Sequence, residues 1–140
     1  MIVVDTNILS YFFLPSNEQS VMAQKVYRKQ TLWVAPVLWR SEFRNVLALY
    51  MRRQQLPMAK AQLLMQQAES LMDGLEFEVS SAAVISLVAA SNCTAYDCEF
   101  VALAHQLKVP LVTYDKKILR EFPETAVSPS SFLARPDRFD

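Results

Sequence analysis

Four acidic residues stand where a carboxylate could do chemistry. Asp5 ends the apolar run in MIVVDTNILS, Glu42 lies in SEFRNVL, Asp97 in TAYDCEFVALA, and Asp115 in LVTYDKK. Each has a plain structural explanation. Asp5 and Asp115 follow apolar runs and precede helical patterns, so they suit helix N-caps, a role worth roughly 0.5–2 kcal/mol. Thr94 and Asp97 resemble a capping box with Asp in place of Glu. Glu42 reads as a solvated helix residue near Arg40 and Arg44. Together the four point elsewhere. Carboxylates gathered at one place repel and raise one another's pKa values. A cation relieves that repulsion, and oxygen-only ligands suit Mg²⁺ or Mn²⁺. Such an ion can activate water and stabilise charge growing on a phosphate, so the implied chemistry is phosphodiester hydrolysis.

Gathering these residues requires a particular arrangement of elements. Residues 1–4 form a short, continuous apolar run, the mark of a strand buried on both faces. Helical spacing follows over 6–14, stopped near Pro15, and again over 16–30. Residues 32–35 read as a second strand. Pro36 opens a helix running to about Arg53, with Leu38, Phe43, Val46, Leu47 and Tyr50 on its apolar side. Another helix runs from Pro57 to the Gly74 stop. A strand at 77–79, a helix from Ser81, a helix over 94–105, a strand at 111–113, a helical turn or two at 116–120 and a last strand at 126–128 complete the pattern. Short apolar strands alternate with helices and hairpin turns are absent, which predicts an α/β domain with a mainly parallel sheet. Open parallel sheets bind ligands beyond the carboxyl ends of their strands, so Asp5 and Asp115 are expected on one edge.

Bulk properties narrow the function classes. The chain has 140 residues, enough for one domain, and is 52% hydrophobic. Its 14 Lys+Arg balance 14 Asp+Glu, so a broad electrostatic grip on nucleic acid is not visible in the totals. Gly74 is the only glycine, which removes every glycine-rich phosphate loop. Cys93 and Cys98 match no metal spacing and fit a reduced compartment. No secretion signal or apolar run of ~18 residues is present, so the expectation is a cytoplasmic protein with no membrane partner.

The stretches VVDTNIL, SEFRNVL and TAYDCEFVALAHQLKVPLVTYDK, in that order over nearly the whole chain, resemble PIN-domain ribonucleases, most closely the small VapC-type toxins of toxin–antitoxin pairs. The resemblance implies a PIN-like α/β/α sandwich over residues 1–128, with 129–140 as a C-terminal loop and tail. It implies a Mg²⁺- or Mn²⁺-dependent endoribonuclease whose acidic catalytic and metal-binding residues are Asp5, Glu42, Asp97 and Asp115. Thr6, Asn7, Thr113 and Asn45 are candidate supports. The implied partners are RNA, a cognate antitoxin that offers an Arg to the acids, and a second copy of the chain.

Other residues carry weaker expectations. Arg40, Arg44, Lys116, Lys117 and Arg120 are candidates for RNA phosphates. Tyr96, Tyr114, Trp33 and Trp39 are candidates for base stacking, with Trp33 better suited to the core. Glu99 should face away from the site, and His105 should be structural or exposed. Met51, Met58, Met65 and Met72 should mostly face the core. Two competing readings are a phosphoacceptor signalling domain and a non-catalytic binding module on the same fold. The first lacks the acidic pair after strand one and the Asp after strand three.

Overall fold

The computed structural model describes residues 1–14 and 18–137. The expected stop at Pro15 and helix start at Ser16 lie outside the described residues. Five parallel strands form one sheet: β1 (Ile2–Val4), β2 (Trp33–Pro36), β3 (Glu76–Phe77), β4 (Leu111–Val112) and β5 (Ala126–Val127), in the order β3-β2-β1-β4-β5. The expected parallel sheet is thus present and wholly parallel. Its three inner strands, β2, β1 and β4, are buried throughout, which is why they read as continuous apolar runs.

Among the described residues eight helices connect and flank these strands: α1 (Thr6–Phe13), α2 (Glu18–Lys29), α3 (Trp39–Arg52), α4 (Met58–Leu71), α5 (Ser81–Ala89), α6 (Ala95–Leu107), α7 (Lys116–Glu121) and α8 (Pro129–Ala134). Helix α1 packs on α2, α3 and α4, while α6 packs on α5 and across β1, β2 and β4. The two helix groups cover opposite faces of the sheet, the arrangement expected where right-handed crossovers join parallel strands. The chain leaves β1 toward β2 and leaves β4 toward β5. The strand order therefore reverses between β1 and β4, and their carboxyl ends flank the resulting crevice.

Several expectations need correction. Pro36 ends β2 rather than opening the next helix, and α3 starts at Trp39. Val37 N–H reaches the Phe77 carbonyl at 3.2 Å, so the ladder continues past the proline, which tolerates a strand end. Strand β3 sits one residue earlier than the apolar run implied, because Ala35 and Pro36 pair with Glu76 and Phe77. Residues 129–134 are not loop. Ser128 caps α8 through the Ser131 N–H (3.2 Å), Pro129 occupies its first turn, and Phe132 is buried. Lys29 on α2 donates to the carbonyls of Phe132 (3.0 Å) and Leu133 (3.3 Å), holding the end of α8.

Trp33, Trp39, Phe43, Phe100, Leu9 and Met72 lie at the heart of the core. The methionines divide: Met72 is buried, Met65 packs at the edge, and Met51 and Met58 are exposed. Among the described residues no helix is long and apolar enough to cross a membrane.

Candidate metal centre

Asp5 leaves β1 and caps α1. Its Oδ1 accepts from the Thr6 N–H at 2.8 Å, and its Oδ2 accepts from the Thr113 hydroxyl at 2.6 Å. Thr113 follows β4, so this bond ties together the carboxyl ends of the two neighbouring strands. The same hydroxyl accepts from the Asp115 N–H at 2.9 Å. Asn7 spans the gap as well: its Nδ2 lies 3.4 Å from both Asp5 Oδ2 and Thr113 Oγ1, and its Oδ1 accepts from the Tyr114 N–H at 3.3 Å. Asp115 caps α7, with Oδ1 accepting from the N–H groups of Lys117 (2.9 Å) and Ile118 (3.0 Å).

Glu42 sits in the first turn of α3. It is not the solvated residue its basic neighbours implied, because its Oε1 accepts from the Thr6 hydroxyl at 2.8 Å. Asp97 sits in the first turn of α6, where its N–H donates to the Thr94 hydroxyl at 3.1 Å. Each capping reading therefore describes a bond that exists, and none excludes a second role.

All four carboxylates line one open cleft of about 650 Å³. No Lys, Arg or His is among the described residues lining it. The acids feel one another. Burial, helped by the charges of Glu42 and Asp97, pushes Asp5 up to about 7, against the pull of its bonds from Thr113 and Thr6. Burial also raises Glu42 and Asp97; Asp97 adds to the rise at Glu42, and Asp115 adds to the rise at Asp97. Asp97 thus stands in the field linking the other three.

The fit to a divalent cation has two sides. The donors are hard oxygens, the charge of Lys117 offsets only part of the rise at Asp97, and Glu42 Oε2 and Asp115 Oδ2 accept no hydrogen bond from the described residues. Yet no group of three or more His, Cys, Asp or Glu among the described residues is arranged to hold one ion. The chemistry of the donor set fits; a closed cage would require the carboxylates to draw together.

Asn45 is exposed and lines the cleft one turn beyond Glu42. Leu38, Ser41, Val46 and Tyr50 join it there, and Ser10 and Tyr11 come from α1. Spacings of three and four from Glu42 were the available signal for the α3 residues. Leu38, Val46 and Tyr50 lie on the apolar side as expected, packed at the margin of the core, while Phe43 and Leu47 are buried within it.

Other candidates fall away from the site. Arg40 is bound to Glu76 by two bonds (Nε 2.6 Å, Nη2 2.5 Å) and to Glu69 at 3.3 Å, so its guanidinium is already engaged. Trp33 and Trp39 are fully buried, and Trp39 donates to Glu76 at 3.1 Å. Glu99 is not simply solvated. It is half-buried beside Val79, Val84 and Ile85, and its charge reaches Glu42. His105 pairs with Thr125 at 2.8 Å on the surface. Cys93 and Cys98 are buried free thiols.

Carboxylates at the switch point of a five-stranded parallel sheet define a class, and comparison with known proteins gives it a family. The chain belongs to the PIN domain family, whose model matches residues 2–124. The α/β/α sandwich is the fold of that family. The crystal structure of PAE2754 from Pyrobaculum aerophilum matches with a TM-score of 0.75 and 19% identity, over 96% of this chain and 94% of that one. FitAcB from Neisseria gonorrhoeae matches with a TM-score of 0.73 and 20% identity, over 93% and 99%. FitAB bound to an IR36 DNA fragment matches with a TM-score of 0.69 and 18% identity, over 92% and 95%. At these identities the likeness is one of fold. No curated protein matches the chain.

Proposed function

We propose that this chain is a Mg²⁺- or Mn²⁺-dependent endoribonuclease, acting in the cytoplasm as the toxin of a VapC-type toxin–antitoxin pair. The observation that carries the reading is the convergence of Asp5, Glu42, Asp97 and Asp115 on one cleft whose described lining holds no Lys, Arg or His. These four would hold the cation. When bound, it would supply polarisation of a water and stabilisation of charge on the scissile phosphate.

The chain's own contribution is orientation. Thr113 and the Thr6 N–H fix the two oxygens of Asp5, and the Thr6 hydroxyl fixes Glu42. Asn7 joins α1 to the end of β4, so the carboxylates at the two strand ends are held in register. Such bonds commonly set metal affinity. The family likeness supports an antitoxin partner and a homodimer; an acidic cleft with apolar walls suits an antitoxin segment carrying an Arg.

A non-catalytic PIN-fold binding module is the second reading, favoured by the absence of a preassembled three-carboxylate group among the described residues. One experiment separates the two. Pure, partner-free protein is incubated with cellular RNA, with and without Mg²⁺ or Mn²⁺, beside folded Asp5→Asn. Discrete cuts that need both the metal and Asp5 are expected. Intact RNA under every condition would leave the binding module.

A further inference from the structure

Three tyrosines line the cleft, Tyr11, Tyr50 and Tyr96; the first two are half-buried and Tyr96 alone of the three is exposed. Tyr96 is 63% exposed, the sole aromatic among the exposed large apolar side chains of the described residues. It lies in the first turn of α6, immediately before Asp97, and lines the same cleft. The other aromatic side chains weighed for stacking are engaged. Trp33 and Trp39 are buried, and Tyr114 packs edge-on against Tyr11 with ring centroids 5.4 Å apart. Tyr96 has no ring partner among the described residues.

An isolated exposed aromatic residue is ordinary on a protein surface. Three features make this one different. It adjoins a carboxylate in the chain, it borders a cleft, and the remaining apolar lining of that cleft comes from Leu38 just before α3, Val46 and Tyr50 on α3, and Tyr11 on α1. A nucleotide presents a charged phosphate and a flat apolar face side by side. A cleft with cation-binding oxygens next to an open ring matches both parts.

Resting on the endoribonuclease reading, we propose that Tyr96 is the substrate-positioning residue of the cleft: its ring stacks on an unpaired base beside the phosphate that is cut. Stacking tolerates any base, because every base has a π-face, so Tyr96 sets the register of the strand without dictating sequence. The Asp97 N–H is capped by Thr94 in the same helical turn. Ring and carboxylate therefore project from one capped turn, and the stacked base would hold its phosphate against the acids.

The test uses the full chain with Mn²⁺ and a short RNA containing a mapped cut site. Matched RNAs carry an abasic residue at each position flanking the cut. Wild type should lose about 5- to 100-fold in kcat/KM, mostly through KM, at one flanking position. Tyr96→Ala should lose a similar factor on the intact RNA and suffer no further loss on the abasic one. Tyr96→Phe and Tyr96→Trp should stay near wild type, and thermal unfolding should be unchanged across the set. If Tyr96→Ala cuts intact RNA as well as wild type, or keeps the full abasic penalty, the proposal is overturned; a ring reserved for a protein partner would give the first result. A wild type that cuts no RNA at all would instead remove the nuclease reading on which the proposal stands.

Discussion

Asp5 caps α1, accepts a 2.6 Å bond from Thr113, and lies buried in the field of Glu42 and Asp97. Its pKa, raised from 3.8 to about 7, has a consequence for stability. The folded state holds a proton that the unfolded chain releases above about pH 4. Asp5 therefore favours folding most at acid pH, and that contribution disappears as pH rises through about 7. In chelator, wild type should lose roughly 2–4 kcal/mol relative to Asp5→Asn between pH 4 and pH 8, read by urea unfolding at each pH. Equal pH slopes for the two proteins would contradict the burial of a strained carboxylate. Thr113 offers a second residue-scale check. Thr113→Val removes the donor to Asp5 and the acceptor for the Asp115 N–H, and should weaken Mn²⁺ binding 10–100-fold while Thr113→Ser retains it. Asp5 and Asp115 stood out in the sequence, because an acid after an apolar run is a local pattern, whereas Glu42 and Asp97 were joined to them by the family resemblance. The Thr6–Glu42 bond could not, since it joins residues brought together only when α1 packs on α3.

Elements decide which charged residues are free to act. Arg40 looked available for phosphate because it lies beside Glu42 in sequence. In the fold it ties α3 to Glu76 on β3 and Glu69 on α4. Arg40→Ala should lower the denaturant midpoint modestly, since the pair is partly exposed, and leave RNA affinity unchanged. A fall in RNA affinity with no loss of stability would reverse that assignment. Helix α6 ends on Lys108, whose φ of 56° is left-handed and strained for a side chain bearing Cβ. Lys108→Gly should therefore raise stability by about 0.5–1 kcal/mol in denaturant titration. The periodicity of α3 and α4 was legible, as were the caps at Asp5, Thr94 and Asp115. The helix over 129–134 was not, because its six residues are too short for a period and its anchor, Lys29, lies more than a hundred positions away.

At the scale of the whole molecule, the strand order explains why acids so distant in sequence converge. The chain departs from β1 and β4 in opposite directions, which opens a crevice at their carboxyl ends that α3 and α6 then wall with Glu42 and Asp97. Alternation of short strands and helices was enough to foresee a parallel sheet. It did not reveal that β1 and β4 are neighbours, a pairing that depends on a crossover past two other strands. The account rests on that crevice taking a divalent cation through carboxylates that draw together around it. Direct titration of metal-free protein with Mn²⁺, followed by calorimetry, tests this most simply. The account predicts saturable binding by wild type, with affinity falling at least tenfold in both Asp5→Asn and Asp97→Asn; no binding by folded wild type, or equal binding by all three proteins, would contradict it.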